Sequence, residues 1–247
     1  AKAPDAPVTY AAPKASAAPR IDGHADDPAW AQAPWRAIDA VLIGETPLDP
    51  ADLSGRYKAV WTEDALYILA EIQDEHLIDT TPDPLQKYWE DDALEILVDE
   101  DNSGGIHQYS HQAFAYHIAL DNQAVDIGPF ASAADEAAGR NQPHAYPDHI
   151  EARWQRAAEA PHPLIWEVRL ALYPDTFRDA PAAPVAPVVL HAGKRIGIML
   201  AYCDSDVAGG GRQHFITDID VAPINGDRNR GWIDADVFGV MELVDSQ

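Results

Sequence analysis

Two tryptophans lie among polar residues instead of in apolar runs. Trp232 falls in the polar stretch NGDRNRGWIDAD, and Trp89 falls in the charged run KYWEDD. An indole outside a core can stack on a flat ring, and two opposed aromatic rings form a slot that selects such rings. Tyr88, or Trp61 at the end of a strand, could replace Trp89. Burial against a neighbouring strand is the competing interpretation of each aromatic.

Four polar side chains in predicted loops could complete a binding slot. Guanidinium and amide groups donate hydrogen bonds, so they suit the hydroxyl groups of a ligand. Ordinary solvation of loop residues explains the same pattern equally well. The candidates are Arg212, Gln213, Asn229 and Arg228.

The run DEDNSG resembles a calcium loop in part. Asp99, Asp101, Ser103 and Gly104 occupy the first, third, fifth and sixth positions of an EF-hand, but Ser110 stands where a glutamate is required. A strand precedes the loop, so it is not an EF-hand. Calcium bound by oxygens of Asp99, Asp101, Ser103 and a neighbouring segment is still plausible, because hard cations need clustered carboxylates. A simple Asp/Asn turn is the alternative.

Three histidines could suggest a transition-metal site. They are His107, His111 and His117, and in a strand His111 and His117 would share a face only if no bulge intervenes. We expect no metal site from this spacing.

Short apolar segments separated by Gly, Pro, Asp and Asn follow Arg20, and almost nothing sustains a helical period. One segment places Leu66, Ile68, Ala70 and Ile72 on the same face and Glu71 on the other. This alternation is expected for a strand with one buried face. About eight to ten strands follow from such segments, which predicts an all-β fold, a two-sheet antiparallel sandwich of jelly-roll or immunoglobulin-like type. Further strands are predicted near residues 41, 55–61, 93–98, 113–120, 150–155, 165–172, 195–202 and 240–244.

Three stretches lack this periodicity. The Ala- and Pro-rich residues 1–19 predict an extended spacer that adds nothing to the core, leaving residues 20–247 as one domain. Residues 129–148 and 179–191 predict long loops on the rim of the sandwich, which could form or cover a site.

Charge limits the partners of the chain. With 41 acidic and 17 basic residues among 247, the net charge of -24 disfavours nucleic acid and anionic membrane surfaces as partners.

The sequence has no apolar run long enough to span a membrane. A single cysteine excludes an intrachain disulfide. The first residues resemble what remains after cleavage of an export signal, so we expect a secreted or periplasmic protein. We also expect a monomer.

Several segments resemble family 9 carbohydrate-binding modules in the expected order. They cover nearly everything after Arg20 and comprise IDGHADDPAW, AVWTEDALYILAEIQDE, YWEDDALEILVDEDNSGG, LIWEVRLAL, GKRIGIMLAYCDSD and GWIDADVFGVMEL. The resemblance implies non-catalytic binding of a mono-, oligo- or polysaccharide, including a chain end, in polysaccharide degradation such as that of xylan or cellulose. It also implies structural calcium and places Trp232 at one wall of the sugar slot. Trp30, Trp154 and Trp166 are predicted to be core residues.

Two other classes of function remain as alternatives. A glycoside hydrolase would need a pair of carboxylates, for which Glu95, Asp91 and Glu167 are available, but in so acidic a chain such pairs arise by chance. Related sandwich domains hold a b-type haem for electron transfer, with Met199 and His117 as possible ligands. A methionine in an apolar strand is ordinarily a core residue.

Overall fold

The computed structural model describes residues 2, 5–179 and 183–246. These residues form strands, one short helix α1 (Ala133–Ala137) and two 3₁₀ turns, Pro28–Gln32 and Ala235–Val237. The strands are β1 (Tyr10–Pro13), β2 (Arg36–Ile38), β3 (Ala40–Ile43), β4 (Leu53–Trp61), β5 (Leu66–Asp74), β6 (Ala93–Asp99), β7 (Phe114–Ala119), β8 (Ala124–Ile127), β9 (Pro143–Ala145), β10 (Ile150–Arg156), β11 (Leu164–Leu170), β12 (Arg195–Asp204), β13 (His214–Thr217) and β14 (Gly239–Val244).

Two sheets make up the fold. The larger has nine strands in the order β1-β14-β12-β6-β7-β8-β9, with β13 and β3 continuing from β12, and the smaller has the order β10-β11-β5-β4-β2. Neighbouring strands are antiparallel except for β1 and β14, which are parallel. The predicted two-sheet sandwich is confirmed. The longer predicted strands are present, and the short strands β1, β2, β8, β9 and β13 add to them.

The main core lies between the two sheets and follows from the alternation of the strands. Ile68 on β5 and Val168 on β11 are fully buried partners in register. Trp166 is also fully buried, and the partly buried Trp154 packs against it with ring centroids 6.0 Å apart. Both were predicted to be core residues.

Glu167 lies on the opposite face of β11, which the sequence pattern predicted to be wet, yet it is fully buried. Its carboxylate accepts hydrogen bonds from the backbone N–H groups of Asp22 and Gly23 and from the indole of Trp30. Gly23 has φ +83°, and a Cβ at this position would lie 2.9 Å from Gln155. The first segment of the domain is thus fastened over the smaller sheet by a glycine turn and a buried carboxylate.

A second apolar cluster lies on the outer face of the larger sheet. Ala93 and Leu97 of β6 and Met199, Ala201 and Cys203 of β12 belong to it. The segment from 218 to 238 covers part of this face, where Val221, Ala235 and Phe238 are buried. The larger sheet therefore has packed residues on both faces, which explains why β6 reads as an almost continuous apolar run.

The prediction of a tail that adds nothing to the core is wrong for residues 10–13. Tyr10 and Ala12 are buried, and β1 pairs with the last strand from Met241 to Val244. The Tyr10 hydroxyl donates to the carbonyl of Pro34 and accepts the N–H of Ala59. Alanine and proline favour an extended chain, and an extended chain with small side chains can also add to a sheet edge.

The first of the two predicted loops contains regular secondary structure. Residues 129–148 contain α1 and β9, and Ser132 caps the helix by accepting the N–H of Asp135. The second loop is described except at residues 180–182, and its Leu190 is buried. Among the described residues, no helix has the length and apolar character needed to cross a bilayer.

Candidate ligand-binding site

A cavity of about 260 Å³ opens on the outer face of the larger sheet. Its floor comes from the central strands β6 and β7, and its sides come from the segments before β6, after α1 and before β14. Loops positioned by a rigid sheet are a common arrangement for binding sites. The lining residues are Tyr88, Trp89, Glu95, Tyr109, His117, Ile127, Asn141, Arg212, Asn229 and Trp232.

The cavity brings together the two tryptophans that the sequence singled out. Trp89 is 41% exposed, and Trp232 is half-buried against the outer apolar cluster. Tyr88 packs edge-on against Trp89 at 5.0 Å and against the His117 ring at 4.9 Å. Aromatic surface therefore lies at the sides of a cavity whose floor is polar.

The loop that carries Trp232 sits close to the sheet because of a glycine. A Cβ at Gly231 would overlap Met199 and Leu97, so a larger residue would push the loop away. The Gly231 carbonyl also bonds to Nε2 of the buried His107, at 2.7 Å. These contacts fix the position of the Trp232 backbone relative to the floor.

Glu95 and His117 form the floor and are direct partners in the β6–β7 register. Oε2 of Glu95 lies 3.3 Å from Nε2 of His117, and both side chains are buried. The other ring nitrogen, Nδ1, lies 3.0 Å from the Ala115 carbonyl, which can only accept, so Nδ1 carries the hydrogen. Nε2 therefore presents its lone pair to Glu95.

Burial governs the protonation of this pair. Burial raises the pKa of Glu95 to about 8, and the nearby Arg212 guanidinium opposes that shift. Burial and the positive charge of Arg212 lower the pKa of His117 to about 3. A neutral imidazole facing a protonated carboxyl group is the expected state at neutral pH.

Arg212 and Asn229 supply polar groups at the sides. The Arg212 guanidinium lies 4.6 Å from the Phe215 ring centroid, and its Nη1 lies 3.4 Å from Sγ of Cys203. Asn229 is three residues before Trp232, and its backbone N–H donates to Asp227. Both side chains line the cavity as the sequence predicted, and they offer the donors that hydroxyl groups accept.

Three predicted ligand contacts lie elsewhere. Trp61 is buried in the main core, and its indole donates to the Val244 carbonyl. Arg228 donates to the carbonyls of Val41 and Val221. Gln213 is exposed and accepts the Asp206 N–H. The predictions of Trp61 and Arg228 as ligand contacts are wrong. Both side chains bond to distant parts of the chain, and local sequence does not reveal such partners.

The cavity also contains residues that sequence reasoning missed as ligand contacts. Tyr109, Ile127 and Asn141 come from segments with no clear pattern, and Asn141 belongs to the first predicted long loop. Glu95 and His117 carried a signal, because each is a polar residue within an apolar strand, in ALEILVD and FAYHIA. The sequence pattern by itself predicts only catalytic or metal-binding roles for them.

Other candidate groups have internal partners. Asp91 accepts bonds from Thr80 and Thr81, which lower its pKa although burial opposes the shift. Nε2 of His111 bonds to the carboxylate of Asp179 at 2.9 Å, whereas His117 faces Glu95. Met199 is fully buried in the outer apolar cluster. These positions favour neither a paired-carboxylate hydrolase nor a haem bound by Met199.

Among the described residues, three groups of side chains place at least three metal-ligating atoms within 4.8 Å of one another. One consists of Glu95 and His117 from the cavity floor and the buried Cys203 beside them. The other two groups are Asp52, Asp206 and His214, and the fully buried Asp74, Asp92 and Asp204.

The predicted calcium loop follows β6 on the same sheet. Within the described residues, Oδ1 of Asp99 and Oδ1 of Asn102 are buried without hydrogen-bond partners. A Cβ at Gly197 would lie 3.3 Å from that Asn102 oxygen and 3.2 Å from Cβ of Asp99. Asp101 accepts the Ser103 N–H and is exposed. Unpaired oxygens beside a glycine fit a hard cation.

Comparison with known proteins decides the family. Residues 21–246 match the family model described as carbohydrate family 9 binding domain-like. The chain belongs to this family. A segment of 105 residues is 28% identical to exoglucanase XynX of Acetivibrio thermocellus and covers 42% of this chain but 9% of the exoglucanase. The family 9 domain thus corresponds to a small part of that relative.

Solved structures share the fold of the family 9 domain. A family 9 carbohydrate-binding module of Caldicellulosiruptor kristjanssonii in complex with cellotriose has a TM-score of 0.65 at 16% identity, covering 96% of this chain and 94% of that one. Its complex with glucose has a TM-score of 0.64 at 18% identity, covering 96% of both chains. A putative carbohydrate-binding protein of Bacteroides uniformis has a TM-score of 0.56 at 12% identity, covering 94% of this chain and 97% of that one.

Proposed function

We propose that the domain binds a saccharide in the cavity, with a sugar ring held against Trp89 and Trp232. The observation that carries this proposal is the convergence of two accessible indoles on one polar floor. Indole faces stack on the C–H face of a pyranose, and Glu95, Arg212 and Asn229 can exchange hydrogen bonds with hydroxyl groups.

Charge supports a neutral ligand. The whole chain has a net charge of -24. Of the described residues that line the cavity, however, Glu95 is the single acidic one, and Arg212 lies beside it. A raised pKa keeps Glu95 largely protonated at neutral pH. The cavity therefore repels anions less than the rest of the surface does, and it offers polar groups suited to an uncharged polyol.

The ligands of the two C. kristjanssonii modules, glucose and cellotriose, suggest the first compounds to test. A cavity of about 260 Å³ is at the lower end of small-molecule sites, so one or two sugar units at a chain end fit it best. Isothermal titration calorimetry with glucose, cellobiose, cellotriose and xylo-oligosaccharides tests this. Absence of binding heat across the panel, with a folded protein, would count against the proposal.

The domain acts without catalysis in this proposal. Hydrolysis requires two carboxyl groups about 5–10 Å apart flanking the bond that breaks. Asp91 is engaged with Thr80 and Thr81, and Glu167 is buried under the first segment. Chromogenic β-glucosides and β-xylosides should stay intact with the purified chain. Turnover that disappears in Glu95→Gln would refute this part.

We also propose that calcium binds at the loop after β6, held by Asp99, Asp101 and Ser103 with Asn102 nearby. The unpaired buried oxygens of Asp99 and Asn102 support it. Calcium should raise the unfolding temperature of chelator-treated protein, and Asp99→Asn should remove that increase. An equal increase in Asp99→Asn would exclude this loop.

Export and a monomeric state complete the proposal. The exoglucanase relative and the acidic composition support a role outside the cytoplasm, in the degradation of polysaccharides such as cellulose or xylan. Cell fractionation of the native host and light scattering of the purified chain test the two points. Recovery in the cytoplasmic fraction, or a dimer mass at micromolar concentration, would contradict them.

A further inference from the structure

Three chemically different donor atoms lie together on three adjacent strands, and two of them belong to residues that line the cavity. Glu95 is on β6, His117 on β7 and Cys203 on β12, and the three side chains are buried. Their ligating atoms lie within 4.8 Å of one another. Sulfur, imidazole nitrogen and carboxylate oxygen are the atoms that bind zinc in proteins.

The spacing of these atoms suits a tetrahedral ion. Oε2 of Glu95 lies 3.3 Å from Nε2 of His117 and 3.8 Å from Sγ of Cys203. Zinc bonds of 2.0–2.3 Å at tetrahedral angles put neighbouring donors roughly 3.4–3.6 Å apart. Both pairs that include Glu95 are therefore near these separations, and Nε2 of His117 lies within 4.8 Å of Sγ of Cys203.

The hydrogen bonds around the group fix the lone pairs. Nδ1 of His117 donates to the Ala115 carbonyl, which leaves Nε2 unprotonated and directed at Glu95. A second hydrogen bond of this kind orients most metal-binding histidines. Two acceptors facing each other at 3.3 Å need either a shared proton or a cation between them. Burial raises the pKa of the Cys203 thiol to about 12, and the Arg212 guanidinium N–H directed at Sγ opposes that shift.

We propose that Glu95, His117 and Cys203 form a zinc-binding site whose fourth coordination position opens into the cavity. The Glu95 and Cys203 protons leave as the ion binds, so a carboxylate and a thiolate neutralise its two positive charges. The open position is left to water or to a hydroxyl group of a molecule in the cavity. Glu95 and His117 line that cavity, which makes the fourth position reachable from solvent.

Cobalt(II) spectroscopy tests the proposal directly. Cys203 is the single cysteine of the chain, so a thiolate-to-cobalt charge-transfer band in the near ultraviolet can arise from this residue alone. Chelator-treated, reduced full-length chain should develop the band to saturation at one cobalt per chain, with visible bands of tetrahedral intensity. Zinc should abolish both at one equivalent. A titration without the charge-transfer band would overturn the proposal, whatever cobalt binds elsewhere.

Variants separate this site from the other histidines and carboxylates. Zinc competition against a chromogenic chelator should show about a hundredfold or greater loss of affinity in Cys203→Ser and His117→Gln. The control His191→Gln changes an exposed histidine and should keep the wild-type affinity. Retained tight zinc binding in Cys203→Ser would contradict the site. If a variant fails to fold, the cobalt spectrum of the wild-type chain still decides.

The zinc proposal and the saccharide proposal can fail separately. Sugar titrations of the metal-free and the zinc-loaded chain report on saccharide binding, while the cobalt spectrum reports on the metal. If the charge-transfer band does not develop but the sugar still binds, the zinc proposal fails and the saccharide proposal stands. Glu95 and His117 would then form the floor of a sugar site that needs no metal.

Discussion

Trp89→Ala should weaken saccharide binding without unfolding the domain. Trp89 lines the cavity and keeps 41% of its surface exposed. A tryptophan buries up to about 150–250 Å² in full, so the exposed share is roughly 60–100 Å². Covering that area with a sugar contributes about 1.5–2.5 kcal/mol at about 25 cal/mol per Å². Since about 1.4 kcal/mol corresponds to a tenfold change, we expect the dissociation constant to rise about 10- to 60-fold.

Calorimetric titration with the best sugar of the panel measures this change. Trp35→Ala is the matched control, because Trp35 is 37% exposed and does not line the cavity. The Arg56 guanidinium lies over its ring, 4.2 Å from the ring centroid. Circular dichroism should show the same unfolding temperature for the wild type and Trp89→Ala. An unchanged dissociation constant in a folded Trp89→Ala variant would refute the assignment of this indole to the sugar site.

Three further predictions concern stability. Trp61→Ala should lower the free energy of unfolding by about 3–5 kcal/mol, measured by urea denaturation, because it empties a fully packed core position. Glu167→Ala should lower it by about 3 kcal/mol or more, since three donors lose their acceptor; a loss under about 1 kcal/mol would show that water replaces the carboxylate. Burial, opposed by the Tyr202 hydrogen bond and reinforced by Asp204, raises the pKa of Asp74 to about 7, so the folded state holds a proton that the unfolded state releases near pH 4. Stability from this group should be full below about pH 4 and decline as the pH rises to about 7; Asp74→Asn should flatten that decline in denaturation series, and an identical slope would contradict the assignment.

The strands were predictable because their signal is local. Leu66 to Ile72 and Trp166 to Leu170 alternate with the period of a strand, and both form neighbouring strands of the smaller sheet. Tyr10–Pro13 was not predictable in this way, since four residues with two small side chains carry almost no alternation. Its place at the sheet edge depends on the distant strand Gly239–Val244.

The candidate site was predictable only in part. Trp232, Trp89, Arg212 and Asn229 line one cavity, and each lay in a polar stretch that gave no internal partner. Arg228 lay in the same stretch as Asn229, but its guanidinium reaches the Val41 carbonyl, a contact across 187 residues. Whether a loop side chain faces a ligand or another part of the chain depends on such distant contacts.

The sequence by itself determined the all-β class, the family and the aromatic residues available for binding, because strand period, segment order and residue type are properties of neighbouring residues. The tertiary structure decided that Cys203 meets Glu95 and His117, which line the cavity. Each is one polar or thiol side chain on an apolar strand, and only the register between β6, β7 and β12 places their donor atoms within 4.8 Å. Register results from the packing of whole sheets, so no local pattern encodes it.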